Sequence, residues 1–270
     1  MNSAAARFEE LHREGTFLLV NVHDAGSAVV AEAAGAVALG TTSSGHAYTL
    51  ARRDAVGALS REEAIQRAAE ICQAVSVPVS VDAENGWGHE PFEVAETIRQ
   101  LADIGAAGAS IEDWSGDPAR GFYDRDMARA RVEAAVETAR SLSDPFVICA
   151  RAEAFLHGAP EPLAEAIARL QSFAEVGADC LYAPGPRDRE TLARIVEEAG
   201  GPVNALIGIG SRLTMEDARR IGVRRVSVGG SLYRATMAVF RDLVRQITAS
   251  GVFTTEPTPL ETDTLEELFE

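Results

Sequence analysis

Eight short apolar runs alternate with amphipathic helical stretches along almost the whole chain, and this alternation restricts the fold more than any other feature. The runs are FLLVNV (17–22), AVALGT (36–41), VPVSVDA (77–83), GASIED (108–113), PFVICA (145–150), CLYA (180–183), PVNALI (202–207) and RVSVG (225–229). Between most of them apolar residues recur at helical spacing, as in 61–75, 91–105 and 128–142. Three of the helical runs end in glycine just before the next strand, at Gly105, Gly177 and Gly222. Glycine takes the left-handed conformation that closes a helix. Regular βα alternation predicts a parallel sheet. Eight units within about 230 residues predict that this sheet closes into a (β/α)8 TIM-type barrel, with an open doubly wound sheet as the alternative.

No low-complexity linker divides the chain, so residues 1–250 are expected to form a single barrel domain. The segment 251–270 is acidic, rich in Pro and Thr, and ends in an amphipathic run. It is either a loose terminus or a docking helix that sets Leu265, Leu268 and Phe269 on the barrel or on a neighbouring subunit. The formal net charge of −16 argues against a nucleic-acid partner, because phosphate contacts need a basic surface. The same charge leaves any anionic substrate dependent on a local arginine or metal. No apolar run reaches the roughly 18 residues of a membrane span. The N-terminus lacks the basic-then-apolar pattern of a secretion signal. Cys72, Cys149 and Cys180 are scattered and odd in number, which suits a reducing cytoplasm and makes no metal-binding motif.

Barrels of this kind place their chemistry at the C-terminal ends of the strands. Those ends are polar here. The first strand runs into His23 and Asp24, the second into Thr41 to Gly45, the third into Asp82 and Glu84, the fourth into Glu112 and Asp113, and the fifth into Arg151 and Glu153. The seventh carries Asn204, and the eighth ends in Gly229, Gly230 and Ser231. A ring of four carboxylates, one arginine and several hydroxyls is costly to gather unless a ligand or metal offsets it. In SVDAENGWG (80–88) the spacing of Asp82 and Glu84 predicts one shared strand face; the other reading is a solvated acidic turn. With Glu112 they offer hard oxygen ligands to Mg²⁺, or to Mn²⁺ in its place. Such an ion would act as a Lewis acid on a substrate oxygen. The planar fork of Arg151 suits a carboxylate, or it forms an ion pair with Glu153 or Glu112. Thr42, Ser43, Ser44 and Gly45 form either a carboxylate-binding turn or an ordinary polar one. His23 and His46 are either acid–base groups or hydrogen-bonded structural histidines. LIGIGS (206–211) and SVGGSL (227–232) could cradle a phosphate.

The order and spacing of HDAGSAVVAEAAGAVALGTTSSG (23–45), Asp54, VDAENGWG (81–88), GASIEDW (108–114), ICARAEAF (148–155), GADCLYAPG (177–185) and PVNAL (202–206) carry a family resemblance. From about residue 8 to about residue 245 the chain resembles the isocitrate lyase / phosphoenolpyruvate mutase superfamily. That resemblance implies a Mg²⁺-dependent barrel that breaks or rearranges C–C or P–C bonds of 2-oxo or 2-hydroxy acids through a metal-bound enolate. It implies a homodimer or homotetramer in which a C-terminal helix is exchanged between subunits. By the same resemblance Asp82, Glu84 and Glu112 look like the metal carboxylates, and Asp54 like one that reaches the metal through water. Thr42, Ser43 and Ser44 look like the substrate-carboxylate turn, Arg151 like the substrate arginine and Asn204 like the strand-7 asparagine.

The departures from that pattern bear on the reaction. The lyases carry a Lys-Lys-Cys-Gly-His-like loop after strand 4, and the phosphonate-forming mutases a lysine and an asparagine there. Here the loop reads WSGDPARGFYD (114–124). Isocitrate and methylisocitrate lyase activity is therefore not expected. The strand-6 position where relatives often place a glutamate or histidine falls at about Pro184, and ARRD surrounds Asp54 where a Gly-x-Pro-Asp turn is usual. Tyr123, Asp117 and Arg120 are the functional groups of a loop whose glycines suit a lid, or which is simply solvated. Tyr123 is carried forward as a catalytic candidate beside Arg151 and Asp54. The expected activity is a lyase or decarboxylase on a small 2-oxo or 2-hydroxy acid. The alternatives are a C–P bond enzyme, a sugar-phosphate barrel or a metabolite-binding relative without catalysis.

Overall fold

Each of the eight apolar runs forms a strand. A computed structural model describes residues 3–253 and 258–269. In chain order its elements are α1 (Ala4–Leu11), β1 (Phe17–Val22), α2 (Ala25–Ala33), β2 (Leu39–Thr41), α3 (Ser43–Thr49), α4 (Arg61–Ala74), β3 (Val79–Asp82), α5 (Pro91–Asp103), β4 (Gly108–Glu112), α6 (Arg125–Arg140), β5 (Val147–Arg151), α7 (Pro162–Glu175), β6 (Cys180–Tyr182), α8 (Arg189–Glu198), β7 (Val203–Leu206), α9 (Met215–Ile221), β8 (Arg225–Ser227), α10 (Ser231–Ser250) and α11 (Thr262–Phe269). The strands pair in parallel in sequence order, and β8 returns to β1, so the sheet is a closed (β/α)8 barrel.

Local chemistry sets the element ends. Ser60 caps α4 and Glu63 reaches back to the Ser60 amide, a reciprocal capping box. Gly105, Gly177 and Gly222 adopt φ values of +86°, +89° and +91°, the left-handed turn that sequence predicts at those points. The large apolar core lies outside the sheet. Val81, Ile111, Ile148 and Leu181 of the strands meet Val94, Ile98 and Leu101 of α5, Val132 of α6 and Leu170 of α7. Each such side chain contributes about 1.5–3 kcal/mol on burial. The N-terminal end of the barrel is closed by Phe8 of α1. It is fully buried and packs edge-on against Phe17 beside Gly108, where an added Cβ would meet the Val147 carbonyl oxygen at 2.5 Å and the Phe8 ring at 3.0 Å.

The inside of the barrel is different. Branched aliphatic layers are the usual filling, but here Ser80, Ser110, Asn204, Arg225 and Ser227 are all buried. Three of them satisfy one another: Asn204 donates to the Ser227 hydroxyl at 2.9 Å and accepts from Arg225 Nε at 2.8 Å. Cys149 and Cys180 stand opposite each other in register on β5 and β6, both as free thiols. This polar interior carries hydrogen-bonding groups from the closed end up to the open mouth.

The acidic C-terminal segment forms α11, which lies against α2, with the Phe269 ring 4.0 Å from where a Cβ on Gly26 would stand. Leu265 and Leu268 are half-buried. No helix among the described residues is long and apolar enough to cross a membrane.

Candidate active site

A cavity of about 200 Å³ opens at the C-terminal mouth and is lined by Thr42, Ser43, Ser44, Asp54, Asp82, Arg151 and Asn204, among others. Seven residues singled out from the sequence thus meet on one surface, although they come from the N-terminus of α3, from β3, β5 and β7, and from the loop that carries Asp54. The strand-6 position, Pro184, also lines it.

Arg151 is the hub. It ends β5 inside the mouth, where Nη1 lies 2.7 Å from Asp82 Oδ1, and Nη2 lies 3.1 Å from Glu112 Oε2 and 2.8 Å from Glu153 Oε1. The two readings of this arginine are therefore joined, since the group that could hold a substrate carboxylate is already ion-paired with Glu112 and Glu153. Burial would raise the Asp82 carboxyl, but Arg151 and the Ser43 amide, which donates to Oδ2 at 3.1 Å, hold it below its ordinary value. Burial pushes Glu112 well above the usual carboxylate range. Arg151 opposes that rise, while Glu153, Asp82 and Glu84 add to it.

Glu84 corrects one expectation. It does not share a pleat with Asp82, because β3 ends at Asp82 and Glu84 has φ of +50°. The chain turns there into a short loop, and Gly57 N–H donates to Glu84 Oε2 at 2.7 Å. The loop is held from behind by Arg131 of α6, a fully buried arginine that donates to the carbonyls of Asn85, Gly88 and His89. Burial pushes the Glu84 carboxyl up to about 7, and Asp82 and Asp54 push it further against the Gly57 amide. Asp54 is raised as well, by burial and then by Asp82.

This donor set fits a hard divalent cation chemically. Asp82, Glu112 and Glu153 are ion-paired with one arginine, Asp54 and Glu84 feel its charge, and burial raises two of the three proposed ligands, Glu84 and Glu112, with nearby like charge adding to the rise. No three His, Cys, Asp or Glu side chains among the described residues converge on one point. The cause is visible in the contacts, with Arg151 lying between Asp82 and Glu112 and Glu84 turned to Gly57.

A pH dependence follows. A carboxyl whose folded pKa is raised stabilises the fold fully below its unfolded value, and loses that contribution as pH rises through the folded value. Glu84, moved from 4.5 to about 7, should therefore cost about 3 kcal/mol of stability between about pH 4.5 and pH 7.5. Bound Mg²⁺ should offset the loss. Thermal melts at about pH 5.5 and pH 8, with and without Mg²⁺, are expected to show a larger metal-induced rise in Tm at the higher pH. A rise independent of pH would rule this out.

The turn after β2 behaves as a built element. Thr42 and Ser44 hydroxyls lie 3.0 Å apart, and Thr41 Oγ1 accepts from the Asp82 amide at 2.9 Å, tying the turn to β3. An added Cβ on Gly45 would meet Thr42 Cγ2 at 2.6 Å and His23 Cβ at 2.8 Å, so only glycine fits at the first turn of α3. Asn21, Tyr182, Arg225 and Ser227 also line the cavity, and strand-end inspection of the sequence does not pick them out. The signal was present in β8: Arg225, Ser227 and Gly229 alternate with Val226 and Val228, the period of a strand with a polar inner face.

Other candidates lie elsewhere. Tyr123 is buried and does not line the cavity. Its hydroxyl is 2.7 Å from His89 Nδ1 and 3.3 Å from Asn85 Nδ2, under the Arg131 guanidinium. It braces the β3 loop. His46 is buried on α3, and burial lowers it to about 4. His23 packs edge-on against Tyr233. Neither histidine lines the cavity. The loop 114–124 is a folded hairpin with a Trp114–Phe122 bridge. Trp114 stacks on His157 at 3.9 Å, and Asp117 accepts from the Ala119 and Arg120 amides.

Comparison with known proteins bears on this geometry. The family model for phosphoenolpyruvate phosphomutase matches residues 8–248. An oxaloacetate decarboxylase from Paraburkholderia xenovorans is 30% identical over 252 residues, which cover 89% of this chain and 80% of that protein. A 2-methylisocitrate lyase from Halalkalibacterium halodurans is 30% identical over 205 residues, covering 74% of this chain and 66% of the other. A crystal structure from Burkholderia cenocepacia, described as a lyase/mutase, superposes with a TM-score of 0.94 at 39% identity and covers 98% of this chain and 95% of its own. With the closed barrel and the matched span, the chain belongs to the phosphoenolpyruvate phosphomutase family of the isocitrate lyase / phosphoenolpyruvate mutase superfamily.

Proposed function

We propose that the protein is a divalent-metal-dependent lyase or decarboxylase acting on a small 2-oxo or 2-hydroxy carboxylic acid. The observation that carries this reading is the buried excess of carboxylates around Arg151, facing a hydroxyl-lined turn across a small cavity. Mg²⁺, or Mn²⁺ in its place, held by Asp82, Glu84 and Glu112 directly or through water and by Asp54 through water, would supply Lewis acidity where enolate charge develops.

The chain's own residues supply the rest. Hydroxyls of Thr42, Ser43 and Ser44 donate to the substrate carboxylate. Arg151 offers its planar fork to a second oxygen while Glu153 and Glu112 keep it in place. Asn204 and Arg225 present donors at the floor. The 114–124 loop has no cysteine, lysine or histidine, and Pro184 adds no acid on strand 6. The proton that quenches the enolate comes from water, and isocitrate or methylisocitrate cleavage is not the reaction.

The exposed apolar residues of α10, Met237, Val239, Phe240, Val244 and Ile247, support a homodimer or homotetramer built on that helix, with its C-terminal part exchanged. Light scattering behind a sizing column tests it, and a monomer at micromolar concentration would overturn it. Three free thiols support a reducing, cytoplasmic location.

The functional test is turnover. With Mg²⁺ or Mn²⁺ the protein is expected to release pyruvate from oxaloacetate or a substituted analogue and to leave 2-methylisocitrate intact. Phosphonopyruvate turnover instead would move the assignment to C–P chemistry. Metal and oxalate binding without turnover of any 2-oxo or 2-hydroxy acid would make it a binding protein.

A further inference from the structure

A second, larger chamber adjoins the small one. It measures about 690 Å³ and lies among the loops after β5, β6, β7 and β8. Leu156, Leu206, Gly229 and Gly230 line both chambers, so the two are neighbours at the same mouth. The inner space, about 200 Å³, suits the acid end of a substrate. The room for the rest of the molecule is in the outer chamber.

The chemistry of that chamber is one-sided. Three arginines line it, Arg187 from the β6 loop, Arg212 from the β7 loop and Arg234 from the first turn of α10, and no aspartate or glutamate does. In a chain of net charge −16 such a lining is against the average. Arginines elsewhere are mostly ion-paired, including Arg125, Arg129, Arg169 and Arg189. Among the described residues Arg187, Arg212 and Arg234 form no ion pair. Arg234 sits at the junction, since a Cβ on Gly230 would lie 3.3 Å from its Nη1 and 2.5 Å from Ser44 Oγ. The guanidinium thus faces the carboxylate-binding turn from the outer side. The backbone between the arginines includes Gly208, Gly210, Gly229 and Gly230, of which Gly229 donates its N–H to Asn21 Oδ1 at 2.8 Å. The α10 N-terminus at Gly230 has no side-chain cap and no acidic residue in its first turn.

We propose that the substrate carries a second anionic group, a phosphate or a carboxylate several bonds from the 2-oxo or 2-hydroxy acid end, and that Arg187, Arg212 and Arg234 bind it in the outer chamber. This rests on the reading of the inner chamber as the acid-binding site. Guanidinium forks suit both anions, and their placement in three separate loops makes the site a selector of substrate length and charge. A short acid such as oxaloacetate fills the inner chamber without reaching the arginines.

Paired ligands test the inference by calorimetry in the presence of Mg²⁺. 2-Oxoadipate is compared with 2-oxohexanoate, and 3-phosphoglycerate with glycerate; within each pair the distal anion is the main difference. Oxalate reports the inner chamber alone. The distal anion is expected to tighten binding by about tenfold or more in at least one pair, and the better pair tells carboxylate from phosphate. In Arg187→Gln/Arg212→Gln the advantage should fall to less than about threefold, with oxalate affinity unchanged. Equal binding within both pairs, or an advantage that survives the double substitution, overturns the proposal. Oxalate that fails to bind while the distal advantage persists counts against the inner-site reading alone. Failure of every ligand overturns both.

Discussion

Arg151→Met is expected to remove about 3–5 kcal/mol of stability and to abolish turnover together with it. The guanidinium is the one cation shared by three carboxyl groups, with 2.7 Å to Asp82, 3.1 Å to Glu112 and 2.8 Å to Glu153. Methionine fills much of the volume and supplies no charge. Glu112 and Glu153, both buried, would then face each other without a cation, and removing one partner of a buried network is far costlier than never having had it. The loss should shrink at about pH 5, where Glu112, raised by burial, is protonated. Mg²⁺ should recover part of it at neutral pH if the carboxylates accept the ion. Arg151→Lys keeps the charge but offers one point where three partners need a fork; an intermediate loss is expected. Denaturant titrations of the three proteins check the order. A methionine variant as stable as the parent at about pH 7.5 would show that the network is not holding the mouth together.

Asp82→Asn should separate what Arg151→Met joins. Arg151 keeps Glu112 and Glu153, and asparagine can still accept from the Ser43 amide, which lies 3.1 Å from Asp82 Oδ2. The fold is expected to lose no more than about 1–2 kcal/mol. Catalysis is expected to fall by about 10²–10³ or more, because the charge of the proposed metal-binding carboxylate is gone while its shape remains. The Mg²⁺-induced rise in Tm should shrink in parallel. Measured kcat/KM and thermal shifts on the same preparation decide the matter. Parental turnover in Asp82→Asn would remove the carboxylate cluster from the mechanism and with it the proposed function.

The two variants also show why the site was only partly readable beforehand. Arg151, Asp82 and Glu112 were found because each stands at the end of an apolar run, a position visible without knowing its neighbours. Their mutual distances are not visible in the sequence, and those distances make Arg151 the shared ion-pair partner of Asp82, Glu112 and Glu153. Counting in twos puts Glu84 on the strand face, and the count fails where the backbone leaves the extended region at φ of +50°. Tyr123 was named for its hydroxyl. In the fold that hydroxyl is engaged by His89 and Asn85 under Arg131. Arg225 was passed over as part of a strand, yet it lines the cavity floor and donates to Asn204.

The chain alone determined the eight strands, the helices between them, the glycine stops, the barrel class and the polar strand ends. All of these rest on periodicity and on residues a few positions apart. The tertiary structure decided which acids share one arginine, which histidines and tyrosines turn away from the mouth, and that Arg187, Arg212 and Arg234 gather on one adjoining chamber. Those facts depend on side chains that lie far apart in sequence and are brought together only when β8 closes on β1. Strand and helix preference is set by near neighbours, whereas charge pairing in a buried site is set by whatever the closed barrel places within a few ångströms.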